Sequence, residues 1–207
     1  MTEKRKIAIV DDDDALRDSL GVLLRFRDFD VSEFSSGTAF LAYPNKTDFA
    51  CVILDIRMPE VDGLAVLEKC KSEGLHTPFI VVTAFADVSS AKTALKRGAY
   101  DYLEKPVDES DMMKVIGDAL NQLDTQAALL SERKSLEERL SRLSDRETEL
   151  LRFVVDGLHN REVAAALGIS VRTVEVYKAR MMEKMRVTRL ADLIRMMTRH
   201  SDESIST

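Results

Sequence analysis

Acidic side chains follow two apolar stretches of the chain, at the point where each stretch ends. Four aspartates, Asp11 to Asp14, come directly after residues 7–10, and Asp55 comes directly after residues 51–54. Continuous apolar runs are typical of parallel strands that are buried on both faces. Because ligands of open α/β sheets bind just past the carboxyl ends of such strands, we expect several carboxylates at one crevice.

The chemistry that such a crevice suggests is phosphoryl transfer. Crowded carboxylates repel one another unless a cation lies between them, and Mg²⁺ takes oxygen ligands from carboxylates, phosphate and water. Phosphoryl transfer also needs an acceptor and donors for the remaining charge. Asp55 can form an acyl phosphate, and Asp11 and Asp12 can help to hold the metal. Thr83 can offer a hydroxyl and Lys105 an ammonium, since both lie at or just past predicted strands.

Each of these residues also has a simpler interpretation. An acidic run before a helix usually supplies an N-cap and complements the helix dipole, and we assign Asp13 and Asp14 to that role. Taken alone, Thr83 is an ordinary threonine at a strand end and Lys105 a solvated lysine. Capping does not account for Asp11 and Asp12 together with the rest of the set.

The first 120 residues predict the elements that would position this set. Strand-like runs alternate with helical patterns, which indicates a doubly wound parallel sheet with helices on both faces. The predicted strands lie at 7–10, 31–34, 51–54, 79–83 and 100–103. The predicted helices lie at about 14–27, 37–43, 62–73, 87–97 and 109–122.

The remainder of the chain is helical in pattern. We expect an α/β unit at 1–121, a helical linker at 122–141, an all-α unit of four helices at 142–200 and a disordered tail at 201–207. Leucines 129, 136 and 143 are spaced by seven, so that a short coiled-coil seam is possible, although a plain helical linker is favoured because few heptads are present. Ser144 and Glu147 form a capping-box pattern, and Asn160 and Ser170 are predicted caps.

Charge divides the chain in the same way. Residues 1–120 carry 15 basic and 22 acidic residues, a net charge of −7, whereas residues 158–200 carry 9 basic and 4 acidic residues, a net charge of +5. A basic C-terminal part suggests a polyanionic partner, although a solvated basic face explains the charge alone equally well. Without a long apolar window or a secretory signal, we expect a cytoplasmic protein. Cys51 and Cys70 are expected to be reduced, buried thiols.

The motifs of the first part resemble those of a known family. They are Val10-Asp11-Asp12, Asp55-Ile56-Arg57-Met58-Pro59 with Asp62-Gly63, Val82-Thr83-Ala84 and Lys105-Pro106. In order and spacing they resemble the receiver domain of two-component response regulators, which has a flavodoxin-like, five-stranded parallel sheet.

The resemblance implies a phosphoryl group passed from a sensor histidine kinase to Asp55. It implies Mg²⁺ or Mn²⁺ bound by Asp12, Asp55 and the backbone carbonyl of Arg57, with Asp11 acting through water. It further implies a cis peptide before Pro106 and a switch formed by Thr83 and Tyr102, in which Tyr102 turns inward when Thr83 moves toward the phosphate. Phosphorylation would then cause dimerisation through the face made by 87–97, 100–103 and 109–120, with no more than slow self-phosphorylation and self-dephosphorylation as catalysis.

The second part resembles the LuxR/FixJ-type helix-turn-helix domain over about residues 142–200. The resemblance rests on Leu143 to Glu147, Asn160 to Ala164 and Ile169 to Tyr177, and it implies double-stranded DNA and RNA polymerase as partners. Base edges would be read by Glu175, Val176 and Ala179, because Glu can accept from cytosine and Val can contact a thymine methyl. The predicted phosphate contacts are Asn160, Arg161, Ser170, Arg172, Thr173 and Lys178.

Two other functions compete with a phosphorylation-controlled transcription regulator. An aspartate-dependent phosphatase would use the same acceptor, but it needs a second aspartate two residues later, where this chain has Arg57. A module for protein interaction alone would leave the basic helix-turn-helix unexplained.

Overall fold

The computed structural model of the chain describes residues 4–84 and 88–204. The chain divides into two compact units, Met1–Gln126 and Ala127–Thr207. The predicted boundaries of the linker and of the DNA-binding part remain predictions, and one helix, Glu109–Leu140, runs through nearly all of the predicted linker. No helix within the described ranges has the length and apolar character that a membrane span requires.

The first unit contains a parallel sheet of five strands in the order β2-β1-β3-β4-β5. The strands are β1 (Lys6–Val10), β2 (Asp30–Phe34), β3 (Phe49–Leu54), β4 (Phe79–Thr83) and β5 (Asp101–Glu104). The helices of this unit are α1 (Asp14–Phe26), α2 (Gly37–Ala42), α3 (Gly63–Ser72), α4 (Val88–Lys96) and α5 (Glu109–Leu140). The predicted fold class is confirmed, and the first position of the predicted helix 87–97 lies outside the described residues.

Both faces of the sheet are buried, as the continuous apolar runs predict. Side chains alternate along a strand, so that Ala8 and Val10 face one core while Ile7 and Ile9 face the other. The first core is closed by α2, α3 and α4 and the second by α1 and α5. Cys51 and Cys70 are free and buried, as predicted, and burial raises the pKa of the Cys51 thiol to about 12.

Helix caps explain where several of these elements begin. Asp13 is the N-cap of α1 and its carboxylate accepts from the backbone N–H groups of Ala15 and Leu16. Asp14 is the first residue of the helix and pairs with Arg17. The assignment of Asp13 to a capping role is thereby confirmed, and Asp14 acts by charge in the first turn.

The second unit holds the C-terminal part of α5 and four further helices. These are α6 (Asp145–Val155), α7 (Asn160–Leu167), α8 (Val171–Lys184) and α9 (Leu190–Ser204). Their shared core includes Leu150, Val163, Val174 and Leu193. Because α9 is helical through Ser204, residues 201–204 differ from the predicted disordered tail, and residues 205–207 lie outside the described part of the chain.

Two predicted caps of the second unit are confirmed and one is wrong. Ser144 and Glu147 form the capping box of α6, and Ser170 caps α8 by accepting from the Thr173 N–H at 3.1 Å. Asn160 is the first helical residue of α7 and not its cap. The N-cap is His159, whose backbone N–H donates to Glu162 Oε2 at 2.7 Å. Glu162, three positions later, thus accepts from the N-cap backbone N–H, and the His159 side chain makes no capping hydrogen bond.

Glu147 also forms a buried ion pair within this unit. It is 3% exposed, and its Oε2 accepts from Lys184 Nζ at 2.6 Å and from the Ser144 backbone N–H at 2.8 Å. Burial raises the pKa of the Glu147 carboxyl, but the hydrogen bonds from Lys184 and Ser144 outweigh it, so that the pKa is lowered overall. A lowered pKa adds stability above the unfolded value of about 4.3, and that stability is lost as the pH falls through the folded value.

We therefore expect Glu147→Gln to lower the free energy of unfolding of this unit at neutral pH by about 1–3 kcal/mol, as for hydrogen bonds to charged groups. The difference from the wild type should shrink as the pH falls below about 4. Calorimetry across a pH series measures both effects. The matched control is Glu149→Gln, because Glu149 forms an ion pair with Arg146 at a half-exposed site. If the difference in the free energy of unfolding between Glu147→Gln and the wild type stayed constant at low pH, the carboxylate charge would not be its source.

Candidate functional site

Three carboxylates meet at the carboxyl edge of the sheet, where β1 and β3 are neighbours. One oxygen from each of Asp11, Asp12 and Asp55 lies within 4.8 Å of the other two. Asp11 and Asp55 are buried, and Asp12 is exposed. In this strand order the topological switch point lies between β1 and β3, where doubly wound sheets bind ligands. The structure thus brings together the aspartates that the sequence assigns to the site.

Lys105 joins this cluster from the loop that follows β5. Its ammonium donates to Asp11 Oδ2 at 2.8 Å and to Asp55 Oδ2 at 2.9 Å, and its side chain is 15% exposed. A single cation therefore bridges two buried carboxylates. The sequence predicts a contact between Lys105 and a phosphate, whereas its bonds to both aspartates emerge only from the structure.

The titration of the site reflects this balance. Burial raises the pKa of the Asp11 carboxyl, and the hydrogen bond from Lys105 opposes that rise without cancelling it. Burial lowers the pKa of the Lys105 ammonium, but its bonds to Asp11 and Asp55 more than compensate, so that this pKa is raised. Lys105 stays charged, and one ammonium faces three carboxyl groups.

The donor set fits a hard divalent cation. All three groups offer carboxylate oxygens, which are the ligands that Mg²⁺ and Mn²⁺ prefer in proteins. An excess of negative charge over Lys105 favours a further cation at the same place. Arg57 lies two residues past Asp55, and its backbone N–H donates to Asp55 Oδ1 at 3.3 Å. The role of its carbonyl as a ligand stays a prediction.

Thr83 lies on β4, the strand beside β3, and Tyr102 lies on β5, the strand beyond it. Thr83 is the last residue of β4 and is 1% exposed, and its backbone carbonyl accepts from the Lys105 N–H at 2.9 Å. This bond ties the threonine strand to the lysine loop. The Lys105–Pro106 peptide is cis, as the resemblance implies. Tyr102 is half-buried on β5 and packs against the core, and its switch role remains a prediction.

Arg17 contributes to the site although the sequence analysis does not single it out. Its Nη1 donates to the backbone carbonyl of Asp11 at 2.7 Å, and its guanidinium pairs with Asp14. The Asp11 carboxylate in turn accepts from the Asp13 N–H at 3.0 Å. A cation in the first turn of a helix is unfavourable for the helix dipole, and that anomaly is the signal in the sequence that could have revealed Arg17.

The exposed face of α8 in the second unit carries the three residues predicted to read bases, Glu175, Val176 and Ala179, and one predicted phosphate contact, Arg172. Arg172, Glu175, Val176 and Ala179 are all exposed, and their spacing of three and four places them on one side of a helix. Val174 and Met181 occupy the opposite side and are fully buried. Val176 is 45% exposed, so its side chain is accessible to a partner.

The predicted phosphate contacts lie at the start of α7, at the start of α8 and, for Lys178, in the middle of α8. Arg161 and Ser170 are exposed, and the Ser170 and Thr173 hydroxyls are hydrogen-bonded at 2.8 Å. Lys178 is half-buried, and its ammonium donates to Asn160 Oδ1 at 3.4 Å. This bond connects α7 with α8, so that Lys178 and Asn160 are less free to meet a phosphate than Arg161 or Arg172.

Comparison with known proteins decides the family. Residues 7–117 match the family described as response regulator receiver domain, and residues 141–197 match bacterial regulatory proteins of the luxR family. The chain belongs to the response regulators that combine these two domains. The family predicted from the motifs is thus confirmed, and this response regulator is a DNA-binding regulator of transcription in a two-component system, with a kinase and DNA as partners.

Its relatives cover nearly the whole chain. The response regulator is 39% identical to the transcriptional regulatory protein FixJ of Azorhizobium caulinodans, over 95% of this chain and 93% of the relative. It is 37% identical to the response regulator protein TodT of Pseudomonas putida, over 95% and 86% respectively. Among solved structures it resembles the response regulator StyR, with a TM-score of 0.81, 30% identity and coverage of 95% and 100%. Full-length FixJ from B. japonicum matches with a TM-score of 0.60, 36% identity and coverage of 96% and 98%.

Proposed function

We propose that this response regulator accepts a phosphoryl group on Asp55 from the phosphohistidine of a sensor kinase, in a reaction that depends on Mg²⁺ or Mn²⁺. The observation that carries the proposal is the Asp55 carboxylate, buried at the switch point between Lys105 and two further aspartates. In the transfer, a carboxylate oxygen of Asp55 forms the new O–P bond while the N–P bond to histidine breaks. The histidine ring nitrogen recovers a proton.

The residues of the chain have separate tasks in this reaction. Asp11, Asp12 and Asp55 would hold the divalent ion, which when bound neutralises charge on the phosphoryl oxygens. Lys105 already contacts Asp55 Oδ2 at 2.9 Å, so that its ammonium is placed to donate to a phosphate built on that carboxylate. The Thr83 hydroxyl, at the end of the adjacent strand, would donate to a second phosphoryl oxygen.

The output of the reaction is control of the DNA-binding unit. Phosphorylation would alter the face formed by α4, β5 and α5, on which Leu95 is 48% exposed, and two copies would pair through it. Dimers with two-fold symmetry bind two related half-sites. At each half-site Glu175, Val176 and Ala179 would face the bases, and Arg161, Arg172 and their neighbours the phosphates. RNA polymerase would be the next partner at a promoter.

The proposal is tested by labelling the full chain with a small phosphodonor. We expect intact-mass spectrometry to show the gain of one phosphoryl group when Mg²⁺ is present, and no gain when the metal is chelated. Acyl phosphates hydrolyse readily, so alkaline treatment should remove the group. A label that formed equally well in chelator, or that survived alkali, would contradict a metal-dependent acyl phosphate.

A further inference from the structure

From Ala127 onward α5 belongs to the second unit, and the end of this segment, residues 135–140, packs against the other helices of that unit. Leu136 is 6% exposed and belongs to the same apolar cluster as Leu150, Val174 and Met185, and Leu140 packs against that cluster. Leu136 is one of the leucines whose seven-residue spacing suggests a coiled-coil seam. In the structure Leu136 and Leu140 pack within the chain, against α6 to α9, whereas Leu129 is 47% exposed. The family match begins only at residue 141, so this segment lies outside it.

Arg139, on the same segment, reaches the end of α8. Its Nη1 donates to the backbone carbonyl of Met185 at 3.2 Å and its Nη2 to Ser135 Oγ at 3.2 Å. Arg139 Nε is buried, without a hydrogen-bond acceptor among the described residues, so the side chain is held against the protein and not in solvent.

Met185 is the residue at which α8 ends. It is the C-cap, it is 0% exposed, and the next residue, Arg186, has a left-handed φ of 55°. The last carbonyls of a helix lack partners within it, and a cation near them also favours the helix dipole. The Arg139 guanidinium supplies both a hydrogen-bond donor and a positive charge at the Met185 carbonyl. One residue earlier, Lys184 is bound to Glu147 at 2.6 Å, so the end of α8 is anchored from two directions.

We propose that residues 135–140 are an integral part of the DNA-binding unit, in which Arg139 is a positioning residue for the DNA-reading helix α8. The face of α8 that carries Arg172, Glu175 and Val176 meets the bases at a defined angle only if both ends of the helix are fixed. Ser170 caps its start, and Arg139 holds its end. The inference rests on DNA binding, which the family supplies, and not on phosphorylation of Asp55.

The test of Arg139 measures the affinity of the full-length chain for a duplex selected from a random-sequence pool by the wild type. We expect Arg139→Ala to lower this affinity about tenfold, which corresponds to about 1.4 kcal/mol. Arg139→Lys, which can still donate one bond to Met185, should bind within about threefold of the wild type. Arg133→Ala is the matched control, because Arg133 lies on the same segment with a half-exposed side chain that pairs with Glu137, and it should bind as the wild type does.

Salt dependence separates positioning from direct contact with DNA. Arg139→Ala should leave the slope of log K against log salt unchanged, whereas Arg172→Ala, a predicted phosphate contact, should reduce its magnitude by roughly one. A reduced slope for Arg139→Ala would overturn the positioning role in favour of a phosphate contact. The role would also be overturned by affinity equal to that of Arg133→Ala, or by a folded Arg139→Lys that bound no better than Arg139→Ala.

The packing of the segment is tested by hydrogen–deuterium exchange in the same full-length chain. We expect Leu136→Ala to speed amide exchange across α6 to α9, because truncation of a buried leucine leaves a cavity in their core. Leu130→Ala, at a site that is 64% exposed on the same segment, should leave exchange in those helices unchanged. Equal exchange in the two variants would show that residues 135–140 are a linker and not part of the unit.

Discussion

Asp55→Asn is expected to abolish phosphorylation of the chain by small phosphodonors and with it any phosphorylation-dependent dimerisation. The amide has no anionic oxygen with which to attack phosphorus, while its size matches that of the carboxylate. Lys105 keeps its 2.8 Å bond to Asp11 and can donate to the amide carbonyl, so the fold should persist. Intact-mass spectrometry measures the label, and sedimentation measures the association.

The matched control for this variant is Asp18→Asn. It makes the same chemical change at an exposed position on α1, away from the three clustered carboxylates, and should be labelled at the wild-type rate. Circular dichroism of both variants verifies the fold. Undiminished labelling of Asp55→Asn would place the acceptor elsewhere, and peptide mapping would then locate it. Labelling lost equally in Asp18→Asn would indicate a general effect of charge on this acidic unit.

The positions of the acidic residues in the site were predictable because the sheet does most of the positioning. Apolar runs at β1 and β3 identify buried parallel strands, and such strands end at one edge. Asp11 and Asp55 therefore had to meet once their strands were recognised. No such rule operates for Arg17, whose bond to the Asp11 carbonyl depends on the turn between strand and helix. The double contact of Lys105 likewise depends on the path of a loop.

The linker shows why a pattern can fit two structures. A stripe with Leu136 and Leu140 on one face of a helix can meet a second helix in a coiled coil, or it can meet the chain's own core. Both options bury one apolar face of the helix, and periodicity does not distinguish them. The structure selects the core of the second unit. Asn160 is a comparable case, because Asn is a good N-cap, yet Asn160 is itself the first helical residue and the cap position falls on His159.

Gly63→Ala is expected to disrupt the loop that carries the phosphoacceptor Asp55. Gly63 is the first residue of α3, and its backbone N–H donates to the Ile56 carbonyl at 2.8 Å. A Cβ at this position would lie 2.0 Å from the backbone oxygen of Asp55 and 3.0 Å from Ile56 Cα. Because these atoms are backbone, no side-chain rotation relieves the overlap, and the peptide that carries the phosphoacceptor must move.

We expect this substitution to lower the free energy of unfolding of the first unit by about 3 kcal/mol, the upper part of the range for overpacking, and to slow phosphorylation wherever the variant still folds. Gly117→Ala is the control, because a Cβ at Gly117 in α5 meets nothing within 4 Å. In a helix interior that change should stabilise by about 0.5–1 kcal/mol. Calorimetry and phosphodonor labelling of the two variants give both quantities. If Gly63→Ala had wild-type stability and labelling, the Asp55 backbone could move without loss of either. The close approach of α3 to Asp55 would then play no part in placing its carboxylate.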